Sequence, residues 1–182
     1  MVSKERVLAP EILNSKTLYT QDNVTFVEQE IRLPSGEART KIVVRHPGAV
    51  AIVPLTEDGQ VILIRQYRLS AEAYLYEIPA GTLEPGEDPR ACAERELQEE
   101  AGYFPGTLIP MPGFYVAPGM SSEYIHVFLA RDLRPSQLNK DEDEEIEVTP
   151  MPMQQALELI AQNEIRDAKT MVGLLYVARL SS

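Results

Sequence analysis

The stretch Gly81–Tyr103 reads GTLEPGEDPRACAERELQEEAGY, with a glycine near each end. Asp88 is predicted to cap the N-terminus of a helix, because aspartate is favoured at that position. Pro89 follows at the first helical position, where the backbone N–H that proline lacks would have no partner within the helix. Gly102 is placed to end the helix in a left-handed conformation. The stretch therefore predicts a loop, Gly81–Glu87, that leads into a helix of about three and a half turns.

The predicted helix has a narrow apolar stripe and an acidic side. At 3.6 residues per turn, the stripe that should face a sheet consists of Ala93, Leu97 and Ala101. Three carboxylates project from an adjoining arc, those of Glu96, Glu99 and Glu100. Like charges four residues apart repel, and Arg95 can neutralise only one of the three. Such a cluster suits a hard divalent cation, Mg²⁺ or Mn²⁺; the alternative is a solvated acidic helix face.

The spacing of the whole stretch, G-x5-E-x7-R-E-L-x-E-E-x-G-Y, matches the Nudix box at every fixed position. Leu97 and Tyr103 occupy its two bulky apolar sites. The chain therefore resembles the Nudix hydrolases, which cleave a nucleoside diphosphate linked to another group. The resemblance implies an α/β protein with the Nudix fold, an α/β/α sandwich around a mixed β-sheet, with a small N-terminal antiparallel sheet in addition.

The resemblance also implies roles for the residues of the box. Glu96 and Glu100 are the main ligands of two or more Mg²⁺ ions, with Mn²⁺ as a possible substitute, and the carbonyl of Ala80 is a further ligand. Glu99 is either another ligand or a group that orients water. Arg95 is the partner that orients Glu99.

Composition narrows the range of partners. The formal net charge of −11 argues against nucleic acid or an anionic membrane as a partner. A diphosphate is also an anion, so bound cations and a few arginines must make the electrostatic potential positive where the substrate binds. Cys92 is the single cysteine, which excludes an intrachain disulfide and favours a cytoplasmic location, and the N-terminus has no apolar signal segment.

The pattern of residues divides the chain into two parts. Residues 1–47 are predicted to form an N-terminal antiparallel β-sheet for dimerisation, and residues 48–182 the Nudix hydrolase domain. In the first part, residues 1–15 are predicted as an arm before strands at Lys16–Thr20, Asn23–Leu33 and Ala38–Arg45. A sheet this small is marginal alone, so it must pack on the main body or on a second subunit.

In the second part, apolar runs and breakers predict the elements. The predicted strands are Ala49–Leu55, Val61–Tyr67, Tyr74–Pro79 and Glu123–Ala130, and the predicted helices are Gln154–Asn163 and Asp167–Leu180. The prolines between Pro105 and Pro118 leave room for short strands only, near Leu108–Met111 and Phe114–Ala117.

Segments outside the box resemble the ADP-ribose pyrophosphatase group of the family: GAVAIVPL, RQYR, YEIPAGTLEPGE and APGMSSE. Pro118 stands where that group carries a marker proline. In that group the general base comes from a distant acidic loop, and the run DEDEEI aligns best with Glu142 as base and Glu144 as a metal ligand. The neighbouring acids remain alternatives for the base, because the register of so acidic a run can slip.

The same resemblance supplies candidate substrate contacts. Arg68 resembles an arginine that binds the diphosphate or ribose, and Arg65 flanks the same segment. Glu123 resembles a residue that reaches the terminal ribose. Phe26 or Tyr19 could stack on the base from the N-terminal sheet, with core packing as the favoured alternative for each.

These observations predict a Mg²⁺-dependent pyrophosphohydrolase that cleaves ADP-ribose to AMP and ribose 5-phosphate. The alternatives are a broader nucleoside diphosphate sugar hydrolase that prefers ADP-glucose or GDP-mannose, and a module that senses ADP-ribose without cleaving it. The resemblance further implies a homodimer formed through the N-terminal sheets.

Overall fold

The computed structural model describes residues 8–136 and 145–180. The strands are β1 (Glu11–Gln21), β2 (Val24–Arg32), β3 (Ala38–Arg45), β4 (Ala49–Pro54), β5 (Gln60–Arg68), β6 (Ala73–Glu77), β7 (Ala80–Thr82), β8 (Tyr103–Tyr115), β9 (Tyr124–Pro135) and β10 (Glu147–Pro152). The α-helices are α1 (Pro89–Glu96), α2 (Met153–Ala161) and α3 (Ala168–Leu180), with a 3₁₀ turn at Leu69–Ala71 and a π-helical turn at Leu97–Ala101.

The chain divides into two compact units. The first ends at Pro47 and also takes in Ala117–Glu123, and the second comprises Gly48–Val116 and the residues from Tyr124 onward. The first unit contains the antiparallel sheet β1-β2-β3. Its first turn is made by Asp22 and Asn23, whose φ angles of 48° and 63° lie in the left-handed region.

Strand β1 begins at Glu11, so the prediction of an arm up to residue 15 was wrong for its last residues. Two register shifts explain why the pattern hid this strand. They lie between Ile12 and Asn14 and between Thr17 and Tyr19. Each bulge shifts the following side chains to the other face, so the alternation that marks a strand is interrupted.

The second unit contains two sheets, with strand orders β7-β4-β9-β8 and β10-β5-β6. Strand β4 runs parallel to β9 and antiparallel to β7, so the larger sheet is mixed. Every residue of β4 is buried. Strand β4 is therefore covered on both faces, which accounts for its continuous apolar sequence.

Alternate residues of β4 enter two separate cores. Val50 and Ile52 pack with Leu97 and the other buried residues of α1 and the π-helical turn. Ala51 and Val53 pack in the core that includes residues of α2 and α3. Helices on both faces of mixed strands make an α/β/α sandwich, which confirms the predicted fold class. Among the described residues, no helix is long and apolar enough to cross a membrane.

Strand β8 contradicts the prediction that the proline-rich segment holds only short strands. It runs without interruption from Tyr103 to Tyr115, with one register shift between Met111 and Phe114. Strand β8 is the edge of its sheet. A proline at an edge can turn its missing N–H side away from the neighbouring strand, so the ladder survives.

Candidate active site

The predicted helix start is present as the sequence indicated. The side chain of Asp88 caps α1, because its Oδ1 accepts hydrogen bonds from the backbone N–H groups of Arg90 (2.9 Å) and Ala91 (3.4 Å). Pro89 occupies the first turn. The segment before it was predicted as a loop, but its first residues form β7, in which Gly81 pairs with Val50 of β4.

The helix changes its winding where the acidic residues stand. It is α-helical only to Glu96 and continues as the π-helical turn to Ala101. Gly102 then ends it with a φ of 76°, as predicted. A π-helical turn is wider than an α-helical one, so the α-helical spacing assumed for Glu96 and Glu100 was wrong. Such turns occur often at functional sites.

Glu100 connects the π-helical turn to β7. Its side chain is 5% exposed, and its Oε2 accepts a hydrogen bond from the backbone N–H of Ala80 at 2.8 Å. This bond brings a carboxylate to the backbone of the strand that was predicted to supply a carbonyl ligand. The two elements that should share the metal site are therefore held together directly.

Glu96 lies against the backbone of Gly81. A Cβ atom added to Gly81 would overlap Oε1 of Glu96, because the two atoms would be much closer than the sum of their van der Waals radii. Any larger residue at position 81 would therefore displace the Glu96 carboxylate from the space it occupies.

Arg95 is shared by three carboxylates. Its Nε and Nη2 donate to the two oxygens of Glu87 at 3.1 and 3.2 Å, and its Nη1 donates to Glu96 Oε1 at 2.7 Å and Glu99 Oε2 at 2.9 Å. The hydrogen bonds from Arg95 hold the pKa of Glu87 below its ordinary value, and the same bonds raise the pKa of Arg95. Arg95 thus donates hydrogen bonds to Glu99 and to two further acids, Glu87 and Glu96.

The donor chemistry of this site fits a hard divalent cation. Carboxylate oxygens of Glu96, Glu99 and Glu100 and a nearby backbone carbonyl at Ala80 are the ligand types that Mg²⁺ and Mn²⁺ take in proteins. The single positive charge of Arg95 cannot balance the several carboxylates that surround it, so a bound cation would lower their mutual repulsion. Within residues 8–136 and 145–180, however, no group of three or more acidic, histidine or cysteine side chains converges as a preformed metal cage.

Replacing Arg95 with methionine should make stability depend less on pH. Because the folded pKa of Glu87 lies below its ordinary value of 4.5, the interaction with Arg95 stabilises the fold above that value and is lost as the pH falls through the lowered pKa. We expect the melting temperature of Arg95→Met to lie furthest below wild type near pH 7, with the gap closing below pH 4.5. Thermal unfolding followed by circular dichroism measures this difference.

The matched control is Arg90→Met on the same helix. Arg90 pairs with Glu94 at 3.6 Å with its side chain 52% exposed, so this pair should contribute less. Its Nη1 also donates to the Leu108 carbonyl at 2.9 Å, and because a carbonyl does not titrate, the loss of this bond should be the same at every pH. A gap for Arg95→Met that stays constant or widens as the pH falls would contradict the assignment.

The two candidate arginines of β5 are placed differently. Arg68 donates from Nε and Nη2 to the two oxygens of Glu77, each at 2.8 Å. The guanidinium of Arg65 lies over the ring of Tyr74, 4.7 Å from its centre, and pairs with Glu147 at 3.6 Å. Residues three apart in a strand point to opposite faces, so the structure does not bring these two side chains together.

The remaining candidates lie outside this unit or outside the described residues. Phe26 lies in β2 and is 42% exposed. Glu123, like Phe26, belongs to the first unit, where its backbone N–H donates to Ser121 Oγ at 3.1 Å. Glu142 and Glu144 lie outside the described residues.

A cluster of charged residues that was not predicted surrounds Glu77, which is 1% exposed. Arg68 and Lys169 both pair with it, and Asp167 pairs with Lys169. One signal was available. Glu77 is the only charged residue in the otherwise apolar segment YLYEIP, and a buried acid needs a cationic partner.

Comparison with known proteins places this site in a family. The NUDIX domain family matches residues 45–172. The chain is 38% identical to an ADP-ribose pyrophosphatase of Bacillus subtilis (strain 168), over 97% of this chain and 90% of the relative. It is 31% identical to a GDP-mannose pyrophosphatase of Escherichia coli (strain K12), over 97% and 96%. A solved structure titled "Crystal structure of ADP compounds hydrolase" matches with a TM-score of 0.86 and 28% identity, over 96% of this chain and 95% of that one.

The fold and the carboxylate helix are those of a Nudix hydrolase, which confirms the class predicted from the box. The chain belongs to the NUDIX domain family.

Proposed function

We propose that this protein is a Mg²⁺-dependent pyrophosphohydrolase that cleaves ADP-ribose to AMP and ribose 5-phosphate, and that it also accepts other nucleoside diphosphate sugars. The observation that carries the proposal is the acidic helix joined to β7 through Glu100 and Ala80, with Arg95 holding the adjacent carboxylates. The names of the relatives support the substrate class. They include ADP-ribose and GDP-mannose pyrophosphatases.

In this proposal the metal ions are held by chain oxygens from three places. Glu96 and Glu100 supply carboxylates from the helix, Ala80 supplies its carbonyl, and Glu144 supplies a carboxylate from the acidic segment. Mg²⁺, with Mn²⁺ as a substitute and two or more ions in all, would neutralise diphosphate charge and lower the pKa of a bound water.

The side chains divide the remaining tasks. Glu142 takes the proton of the attacking water as general base. Arg95 keeps Glu99 in place, so that Glu99 can orient a water or add a ligand atom. Arg68 binds the diphosphate, because a planar guanidinium can donate two parallel hydrogen bonds to phosphate oxygens. Further substrate contacts are proposed for Arg65, Glu123 and Phe26.

The assignment of Glu142 as the general base is tested by comparing the hydrolysis rates of glutamine variants at two acids of the same segment. Glu142→Gln should slow hydrolysis at least about tenfold more than Glu145→Gln, because general base catalysis typically contributes about 10²–10⁴-fold. Initial rates with ADP-ribose and saturating Mg²⁺ measure the difference, and the Mg²⁺ concentration for half-maximal rate should stay unchanged in Glu142→Gln. A greater loss in Glu145→Gln would shift the base to that position.

The proposed function is tested by a substrate panel. The purified chain is supplied with Mg²⁺ and, separately, with ADP-ribose, ADP-glucose, GDP-mannose and a nucleoside triphosphate, and the products are separated by anion-exchange chromatography. We expect AMP and ribose 5-phosphate from ADP-ribose at the highest kcat/KM. A higher kcat/KM for ADP-glucose or GDP-mannose would favour the broader hydrolase. Binding of ADP-ribose without products would favour a sensing module.

We also propose that the chain forms a homodimer through its first unit. Several large apolar side chains of that unit are exposed, namely Ile12, Leu13, Leu18, Tyr19, Phe26 and Ile42. Tyr19 and Phe26 are directly opposed across β1 and β2, so they lie on one face of the sheet. Covering this face with its copy would bury apolar area that is otherwise in water. Light scattering should give twice the chain mass of 20.4 kDa, and a value of 20.4 kDa would contradict the dimer.

The proposed setting is the cytoplasm, with a small nucleotide as partner rather than nucleic acid or membrane. Cys92, the single cysteine, is a buried free thiol, which suits a reducing compartment. The net charge of −11 disfavours polyanionic partners.

A further inference from the structure

Glu77, the last residue of β6, is a buried carboxylate that holds two cations. It is 1% exposed. Arg68 donates to both of its oxygens at 2.8 Å, and Lys169 Nζ donates to Oε2 as well. Burial alone would raise the pKa of Glu77, but the hydrogen bonds and charges of Arg68 and Lys169 outweigh burial and hold this pKa below its ordinary value. Glu77 is therefore ionised and held from two sides.

The first turn of α3 holds this cluster in place. Asp167 Oδ1 accepts a hydrogen bond from Lys169 Nζ at 3.1 Å, while Oδ2 accepts from the backbone N–H (2.9 Å) and the hydroxyl (2.6 Å) of Thr170. The hydroxyl oxygen of Thr170 in turn accepts from the backbone N–H of Ile78 at 2.8 Å. Two successive residues of the chain, Glu77 and Ile78, are thus bonded to one helix start.

Helix α3 packs closely against β4 and Ile78. Gly173 lies one turn after Thr170, and a Cβ atom there would stand 2.9 Å from Val53 Cγ2 and 3.0 Å from Ile78 Cδ1. Only Pro79 separates Ile78 from strand β7, whose Ala80 is a proposed metal ligand. The cluster therefore anchors the segment that enters the active site, and through Glu77 it fixes Arg68 as well.

A guanidinium bound by both oxygens of one carboxylate has its plane and direction determined. A protein side chain that is already held in its binding orientation loses little conformational entropy when the substrate binds. Such a side chain therefore raises both the affinity for the substrate and the rate of its reaction. We propose that Glu77, fixed by Lys169, is a positioning residue that orients the Arg68 guanidinium for the substrate diphosphate. This inference rests on the proposed function, because diphosphate binding by Arg68 is part of it.

The test is a double-mutant cycle on the whole 182-residue chain with Mg²⁺. Glu77→Gln keeps the shape of the side chain and removes its charge, and Arg68→Lys keeps the charge of the cation and removes its planar fork. We expect each variant to raise KM for ADP-ribose about 10-fold or more with kcat within about threefold, because an interaction made equally in ground state and transition state affects KM alone. The double variant should be no worse than the worse single one.

Thr170→Val is the control for a merely structural role. It removes both hydrogen bonds of the Thr170 hydroxyl, from the Ile78 N–H and to Asp167 Oδ2, while every atom of the ion pairs between Glu77 and its two cations is kept. It should therefore lower the melting temperature and leave KM within about twofold. If Thr170→Val raises KM as much as Glu77→Gln does, or if the effects of Glu77→Gln and Arg68→Lys multiply, the inference is overturned. Should Glu77→Gln fail to fold, Glu77→Asp, which keeps the charge on a shorter side chain, carries the same comparison.

A binding measurement separates this inference from the proposed function. Calorimetric titration with α,β-methylene-ADP, a diphosphate that cannot be hydrolysed at the α,β linkage, should give a Kd about 10-fold weaker for Glu77→Gln than for wild type. If wild type cleaves no nucleotide yet shows this difference, the proposed function fails and the inference stands. If wild type cleaves ADP-ribose while Glu77→Gln keeps wild-type KM and Kd, the inference fails alone. Absence of both cleavage and binding in wild type overturns both.

Discussion

Glu96→Gln and Glu100→Gln are each expected to lower kcat with ADP-ribose by more than about 100-fold while the protein remains folded. Substitution of a group that only supports a metal ligand typically costs about 10- to 100-fold, and loss of a ligand should cost more. Glutamine keeps the size of the side chain, and at position 100 its amide oxygen can still accept the bond from the Ala80 N–H. The loss should therefore come from the missing charge.

Two measurements distinguish this explanation from unfolding. The Mg²⁺ concentration for half-maximal rate should rise in both variants, and the melting temperature without Mg²⁺ should stay close to wild type. Glu94→Gln is the matched control. Glu94 is an acid of the same helix that pairs with Arg90 at 3.6 Å and is not a proposed metal ligand. Wild-type kcat in Glu96→Gln or Glu100→Gln would remove both residues from the metal site.

Gly81→Ala should separate activity from stability. The new methyl group would overlap Glu96 Oε1, so the carboxylate must move. The atoms in the way are the far end of a flexible side chain, so the fold can adapt at little cost. A displacement of about 1 Å within a catalytic arrangement can cost about 10²-fold, and we expect kcat/KM to fall by about that factor.

Gly119→Ala is the control for a glycine with open space, since an added Cβ there meets nothing within 4 Å. Its kcat/KM should match wild type. Thermal unfolding should show both alanine variants within about 1 kcal/mol of wild-type stability, the size of an ordinary glycine-to-alanine effect. Near-wild-type kcat/KM in Gly81→Ala would show that Glu96 works from a different position, and a collapse of stability would show that the backbone itself cannot shift.

The N-terminal and C-terminal limits of the acidic helix could be predicted because their signals are local. Asp88, Pro89 and Gly102 act on backbone groups within a few residues of themselves. The apolar stripe was visible for the same reason, since Leu97 and its neighbours repeat at helical spacing and pack on the sheet. The π-helical turn was not visible, because nothing in the local sequence marks where the winding changes.

The strands show the same division. The continuous apolar sequence Ala49–Leu55 predicted a strand, and only the structure shows that its residues Val50 and Ala51 enter opposite cores. The prolines at the edge of the larger sheet led to the wrong expectation for β8. A proline interrupts a strand when its missing N–H would face a neighbouring strand, and it fits into a strand when that side faces away from the sheet. That neighbour is known only once the strand order is known.

The sequence by itself determined the family, the acidic helix and the residues that gather on it, because the spacing of the box is read along one continuous stretch. Only the tertiary structure decided what holds those residues. The Glu100 bond to Ala80 spans 20 positions, and the Glu77 bond to Lys169 spans 92. A hydrogen bond or ion pair forms wherever folding brings two groups within about 3 Å, so partners distant in sequence leave no local signal.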